Sequence, residues 1–308
     1  MTGAVLRPAR ADELGAVEHL LTGASLPTIG LSALLDGLVV AERDGTVVGA
    51  GALEPAGDDV LLRSLVTAPA ERGRGTGQAI IARLLRDARD RGADTIWLLT
   101  ETAADLFPRF GFRRVARAQA PAPLQALAEF AHACPASAIA MARRAQPLRV
   151  LVLCTANSAR SQLGEALFAH RGGDLVQAAS AGSQPGSGPH PMAIETLRRR
   201  GIAWRDKSSK GIDAVTGAPW DLVVTVCDAA RDACPILPGA TTVHWGFRDP
   251  ASAGETDAER QAAFDAVADA LEARIDALLA LPLAVLEAAE LREAAMRLHR
   301  ALPGPVSG

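Results

Sequence analysis

The stretch VLCTANSARSQLGEALF (residues 152–168) decides how the second half of the chain is read. It is entered from LRVLVL (148–153), an unbroken apolar run that predicts a strand buried on both faces. It leaves through SQLGEALFAHRG (161–172), which predicts a helix. Cys154 closes the strand, and the helix begins near Ser161. Between them Thr155, Ala156, Asn157, Ser158 and Ala159 can curl their amide N–H groups toward one point. Such a nest, with the helix dipole behind it, binds a tetrahedral oxyanion. Arg160 adds a fork for two oxygens. The same positive field favours the Cys154 thiolate, since thiols at helix N-termini fall from about 8.5 to ~3.5–7.5. Ser161 can donate a hydrogen bond to the sulfur. The spacing of cysteine and arginine recurs by chance; the strand before it and the helix after it give it weight.

Outward from this loop, AIETLRRRG (193–201) reads as a helix and DLVVTVC (221–227) as a second buried strand. Residues 257–281 read as a long helix, and the tail, 283–308, reads as helical as far as Pro303. Strands alternating with helices predict an α/β, doubly wound, mainly parallel sheet. In FRDPA (247–251), Asp249 can protonate a leaving oxygen, or it can simply start a turn. In VCDAARDACP, Cys227 and Cys234 are too far apart for a C-x-x-C pair. Even with His244 they make a poor metal site, so no metal is expected, and plain core packing is their simplest use.

The first half is organised differently. LVVAERDGTVVGAGAL (38–53) is two apolar runs around Asp44-Gly45, a hairpin signal. Strands are expected over 60–68 and 95–100, with a helix over 77–92 between them. The segment Arg72-Gly73-Arg74-Gly75-Thr76-Gly77 therefore links a strand to a helix. Bare amides at a helix start bind phosphate, glycines let the backbone approach, and arginines neutralise charge. MARRAQP (141–147) reads as polar punctuation between the halves. The expected domains are 1–145 and 146–282, with the helical tail 283–308 as a packing or interaction appendage.

Bulk properties narrow the function. The chain has 308 residues, 49% hydrophobic and 22% charged, with a net charge of −3 and no long basic run. That disfavours nucleic acid as a partner. The N-terminus has no apolar signal region, and the most apolar stretch, IDALLALPLAVL, is short and holds a proline, so a cytoplasmic protein without membrane contact is expected. In that setting the four cysteines point to catalytic or redox use more than to structural disulfides.

The motifs VLCTANSARSQLGEALF, SAGSQPG, PHPMAIETLRRRGI, DLVVTVCDAARDACPILPG and HWGFRDPA, across 148–281, resemble the low-molecular-weight phosphatase fold and, within it, the arsenate reductases. The resemblance implies that arsenate docks in the loop 155–161, that Cys154 attacks arsenic, and that Asp249 protonates the departing oxygen. Cys227 then attacks Cys154, Cys234 attacks Cys227, and a thioredoxin-like reductant resets the disulfide. It also implies that Asn157 braces the loop from inside. Glu165 and Ser180 lie in the region where some members bind a monovalent cation, with Lys210 a candidate to put an ammonium there. Ala156 stands where glycine is common and Ala159 where cysteine is common; an alanine at 156 is expected to strain the loop if that residue needs positive φ.

Residues 4–143, with the R-x-x-G-x-G of Arg72 to Gly77 and LFPRFGFRRV, resemble the GNAT N-acetyltransferases found with arsenic-resistance systems. The fold implied is a mixed, mostly antiparallel sheet with helices. Main-chain groups near Leu65 and Val66 would hold the pantetheine arm of acetyl-CoA, and amides from 73 to 77 its pyrophosphate. Phe107 stands where many such enzymes have a tyrosine acid, and a phenyl ring donates no proton. The amine acceptor is unknown; Arg63, Glu101 and Arg109 are possible contacts. Cys134 reads as a small hydrophobe. The combined reading is a bifunctional arsenic-detoxification protein. The alternative is a low-molecular-weight protein phosphatase fused to an acetyl-CoA-binding, non-catalytic GNAT domain.

Overall fold

The computed structural model describes residues 3–233 and 237–305. It divides into two compact units, Met1–Gln146 and Pro147–Gly308.

The first unit is built on strands β1 (Val5–Pro8), β2 (Leu38–Arg43), β3 (Thr46–Ala56), β4 (Asp59–Thr67), β5 (Thr95–Thr100), β6 (Arg113–Arg114) and β7 (Ile139–Arg144). Its helices are α1 (Leu14–Gly23), α2 (Thr76–Asp90) and the short α3 (Ala122–Gln125). The sheet order is β1-β2-β3-β4-β5-β7-β6, antiparallel except between β4 and β5. The expected hairpin turns at Asp44 and Gly45, both with positive φ. Along β3 small residues alternate. Gly49 and Gly51 face α2, where a Cβ on Gly51 would stand 2.9 Å from Ile80 and Leu84. Ala50 and Ala52 face the cluster of α1 that contains Val17 and Leu21. The side-chain alternation of a strand thus lets α2 lie close on one face while α1 covers the other.

The expectation for MARRAQP is corrected. Arg143 and Arg144 end strand β7, which pairs with β5 from Ile139 opposite Thr100 to Arg144 opposite Thr95. Arginines disguised the strand's alternation. Arg143 is buried, and its Nη1 donates to the Phe110 carbonyl at 2.6 Å, so its charged end finds an acceptor inside.

The second unit contains β8 (Leu148–Cys154), α4 (Arg160–Gly172), β9 (Val176–Gly182), α5 (Pro191–Arg199), β10 (Leu222–Thr225), α6 (Asp228–Ala233), β11 (Thr241–His244), α7 (Asp257–Leu279) and α8 (Ala288–Ala301). Its sheet is parallel throughout, in the order β11-β10-β8-β9. Val150 and Val152 pack into a core with Leu163, Leu167, Phe264 and Leu271, while Leu151 and Leu153 pack on the other face with Val215 and Val223. Both faces are covered, as an apolar run without alternation requires. Two strands have weak sequence signals: β9 is rich in alanine and glycine, and β11 is four residues long. The tail packs as α8, with Leu291 and Ala295 in the core of this unit. Among the described residues no helix is long and apolar enough to cross a membrane.

Candidate functional site

The chain leaves β8 toward β9 on one side and later places β10 on the other side of β8. Cys154, the last residue of β8, therefore sits at the topological switch point, where a parallel sheet opens a crevice at its strand ends. The next residues form a ring. The carbonyls of Cys154, Thr155, Ala156 and Ser158 accept from the amides of Ser183, Gln184, Gly186 and His190 at 3.3, 2.9, 2.9 and 2.8 Å. A trans peptide points its N–H opposite to its carbonyl. The amides of Thr155, Ala156, Asn157 and Ala159 are thus turned away from that outer loop, and the Asn157 amide reaches the Cys154 Sγ at 3.2 Å.

Hydrogen-bond directions around the sulfur are set by one residue. Asn157 is fully buried. The Lys210 main-chain N–H donates to its Oδ1 at 2.7 Å, which fixes the other end of the amide as Nδ2. That Nδ2 donates to Ser161 Oγ at 2.9 Å and to Ser180 Oγ at 2.8 Å. Ser180 passes its own proton to Glu165 Oε2 at 2.6 Å. Ser161 Oγ lies 2.9 Å from the Cys154 Sγ and still has its own proton to donate to it. The sulfur thus accepts from the Asn157 amide and can accept from the Ser161 hydroxyl.

The condition under which an alanine at 156 would strain the loop is not met. Asn157, with φ of +49°, holds the left-handed conformation, and Ala156 does not. Asparagine tolerates this region better than alanine, so alanine at 156 costs the loop nothing. A different small residue is obligatory. A Cβ on Gly182, the last residue of β9, would stand 2.3 Å from the Thr155 oxygen and 2.8 Å from the Asn157 nitrogen.

Arg160 donates from Nη1 to the Phe247 carbonyl at 2.8 Å, and its Nη2 lies 3.6 Å from Asp249 Oδ2. Its Nε is buried without a hydrogen-bond partner, a donor that an oxyanion in the ring would satisfy. Asp249 is 44% exposed and accepts from the Ala251 amide, so it both starts a turn and borders the ring. Cys227 follows β10, which neighbours β8, and is buried; its Sγ lies 3.4 Å from Thr155 Oγ1. Cys234 lies outside the described residues. His244 spends both ring nitrogens on Thr225 and Asp228.

Glu165 faces two ammonium groups: Lys207 Nζ at 3.1 Å and Lys210 Nζ at 3.5 Å. Lys207 also lies over the Trp204 ring, 4.1 Å from its centroid, and was not singled out from the sequence. Nor was Gln162, which donates to the Asn157 carbonyl. Neither has a local motif; only the fold brings them here.

In the first unit the strand–loop–helix context holds for Arg72 to Gly77. Gly73 and Gly75 have φ of +75° and +82°, and Arg72 to Gly75 are exposed ahead of α2. The loop has a prop that sequence reasoning missed. Buried Glu71 receives Arg43 Nε and Nη2 at 2.9 and 3.0 Å and the Thr76 hydroxyl at 2.8 Å. The Arg43 guanidinium, with Thr76, holds the Glu71 carboxyl below the usual carboxylate range. The first amides of α2, from Thr76 on, have no acceptor within the helix.

Strands β4 and β5 pair only at Val60–Ile96 and Leu61–Trp97. Beyond Leu61 the edge of β4 toward β5 carries no ladder, and β4 bulges against β3 between Ala50 and Ala52, with Ser64 at φ of +54°. Leu65 and Val66 lie on this unpaired stretch. Phe107 is buried and packs edge-on against Phe112 at 5.5 Å, a core ring. Arg63 is interior: its side chain is 1% exposed, with Nη1 on Glu54 at 2.6 Å and Nη2 on Glu129 at 2.9 Å and on the Ile29 carbonyl at 2.7 Å. Burial pushes the Glu129 carboxyl up. Glu101 and Arg109 are exposed. Cys134 is partly exposed, and burial pushes its thiol up.

Comparison with known proteins follows this division. Residues 149–294 match the low molecular weight phosphotyrosine protein phosphatase family, and residues 35–114 match the acetyltransferase (GNAT) domain family. An arsenate reductase from Halalkalibacterium halodurans is 40% identical over 127 residues, 41% of this chain and 91% of that protein. One from Bacillus subtilis is 38% identical over the same shares. Among solved structures, a Mycobacterium tuberculosis protein in complex with CoA and NLQ is 26% identical, with a TM-score of 0.41 over 46% of this chain and 98% of that one.

Proposed function

The second unit belongs to the low-molecular-weight-phosphatase family in its arsenate-reductase-like form, the first is a GNAT acetyltransferase domain, and from this fusion we propose a bifunctional arsenic-detoxification enzyme. The second unit reduces arsenate to arsenite. The first transfers an acetyl group from acetyl-CoA to an amine.

The observation that carries the reductase reading is the hydrogen-bond network through Asn157 and Ser161. It ends on the Cys154 sulfur, with a second buried thiol at the end of the adjacent strand. Arsenate sits on the ring amides of Thr155 to Ser161 and the Arg160 guanidinium. The Cys154 thiolate forms a sulfur–arsenic bond as a hydroxyl leaves, protonated to water by Asp249. The Cys227 thiolate then attacks Cys154 Sγ. The disulfide forms as the sulfur–arsenic bond breaks, and that bond's electron pair stays on arsenic, which leaves as arsenite. Two thiols have supplied two electrons. Cys234 attacks Cys227 Sγ, frees the Cys154 thiolate, and presents a disulfide to a thioredoxin-like reductant.

In the first unit the pantetheine arm of acetyl-CoA lies as an added strand against Leu65 and Val66, and its pyrophosphate lies on the amides from 73 to 77 between Arg72 and Arg74. The interior Arg63, with Glu54 and Glu129, borders the acceptor. Phe107 gives no proton, so the thiolate of CoA leaves unassisted by that side chain.

The test is arsenite release with a thioredoxin system, on the wild type and on Cys154→Ser, Cys227→Ser and Cys234→Ser. No serine variant is expected to turn over. A Cys234→Ser protein that cycles normally assigns the last step to another thiol. The family description favours one competing reading, a phosphatase; hydrolysis of an aryl phosphate that survives Cys227→Ser, with no arsenate reduction by the wild type, would establish it. Release of free CoA from acetyl-CoA with candidate amines tests the first unit.

A further inference from the structure

Residues 299–305 lie against the loop that carries Asp249. Arg274, on α7, is completely buried and spends all its guanidinium N–H groups on neutral acceptors. Nη1 donates to the Ala270 and Pro303 carbonyls at 2.8 and 3.0 Å, and Nη2 to the His299 and Leu302 carbonyls at 3.1 and 2.7 Å. Nε donates to His299 Nδ1 at 3.1 Å. Three of those carbonyls belong to the end of α8 and the residues after it, where helix carbonyls lack intrahelical donors and the dipole is negative. A buried cation held this way ties residues 299–303 down.

The same side chains grip the loop. The Arg274 guanidinium lies 5.2 Å from the Phe247 ring centroid, and the His299 ring meets Phe247 edge-on at 5.8 Å. The Pro305 carbonyl accepts from the Arg248 amide at 2.9 Å, and Trp245 Nε1 donates to the Ala295 carbonyl of α8 at 3.0 Å. Residues 245, 247 and 248 are thus each fastened to the tail or to Arg274. Phe247 in turn offers its carbonyl to Arg160, and Asp249 follows one residue after Arg248.

We propose that the C-terminal strap, residues 299–305 locked by Arg274, is the positioning device of the Asp249 loop: it sets the acid, through Phe247 and Arg248, against Arg160 and the oxyanion ring. The proposal rests on the reductase reading. Arg274, His299 and the Pro305 carbonyl touch no reacting atom; they act through the loop that carries Asp249, while the ring amides keep their own braces in Asn157 and the outer loop.

The test compares the full chain with a chain ending at Leu302, which removes the Pro303 and Pro305 acceptors and keeps α8, and with His299→Leu. Two quantities are measured: kcat and KM for arsenate, and protection of Cys154 from alkylation by inorganic phosphate, read on the Cys154 peptide by mass spectrometry. For the shortened chain kcat falls about tenfold, the order of losing an acid's alignment. KM and phosphate protection stay within about twofold, binding being untouched. His299→Leu gives a smaller fall in the same direction. An unchanged kcat overturns the proposal, and so does a loss of phosphate protection in step with kcat, which would make the strap a mere support of the fold. If the wild type reduces no arsenate, the reductase reading fails. The strap is then judged by hydrogen exchange: faster exchange at the amides of Phe247 and Arg248, with the ring amides 155–160 unchanged, supports it, and unchanged exchange at Phe247 and Arg248 rejects it.

Discussion

The two loops proposed as anion cradles have the same plan, a strand, a turn and a helix start, and they are held in opposite ways. The loop from Arg72 to Gly77 is exposed, gets its shape from two positive-φ glycines, and leans on one carboxylate, Glu71. The ring from Thr155 to Ser161 is braced by a buried amide, by a glycine that nothing larger can replace, and by an outer loop that takes its carbonyls. A loop that only has to receive phosphate oxygens can be open and glycine-rich. A loop proposed to hold an oxyanion over a reacting sulfur needs every donor around it aimed, and aiming takes buried partners.

The contrast breaks first at Gly182. Gly182→Ala drives a methyl into the Thr155 carbonyl and is expected to destabilise the second unit by roughly 3 kcal/mol and to abolish phosphate protection of Cys154; thermal unfolding and alkylation read both. Asn157→Ala is the next largest change. It puts alanine in a left-handed conformation, costing about 1 kcal/mol, and frees Ser161 and Ser180 from the donor that orients them. Arsenate turnover, read as arsenite release, is expected to fall roughly 10–100-fold, the loss of an oriented donor. In the open loop the corresponding change is mild. Glu71→Gln weakens the contacts to Arg43 and Thr76 and is expected to raise the KM for acetyl-CoA about threefold, with little change in kcat.

The smallest effect is a pH dependence at the strap. Burial, with the neighbouring positive Arg274 on α7, His244 on β11 and Arg300 on α8, lowers His299 to about 4. The folded state therefore holds His299 neutral, accepting from Arg274. Its stabilising contribution is complete above the ordinary histidine value near 6.5 and is lost as the pH falls through about 4. Unfolding of the second unit by denaturant at pH 7 and pH 4 should differ by less in His299→Leu than in the wild type.

Much of this was legible along the chain because it is local. Cys154 and Arg160 are joined by one loop, the apolar runs at 148–153 and 221–227 need no partner to be recognised, and Asp44-Gly45 turns its own hairpin. What escaped is what distant segments bring. Glu71 reads as an ordinary acid until Arg43 folds onto it, and Lys207 as a surface charge until Glu165 faces it. Strand β9 is hidden because alanine and glycine have little strand preference; its neighbours, not its composition, make it a strand. Strand β7 is hidden by its two arginines, of which Arg143 reaches the Phe110 carbonyl inside. Which loop residue takes the left-handed turn, Asn157, had no signal of its own in the sequence.

The outer loop that takes the ring's carbonyls has a consequence for which sequences it can hold. Its donors are the amides of Ser183, Gln184, Gly186 and His190. Its prolines, 185, 189 and 191, occupy only the positions between and beside them. Proline has no N–H to give, so each one stiffens the segment without removing a stitch. Moving any of the three by one place toward a donor would unfasten the ring from behind, with no side chain near the sulfur altered.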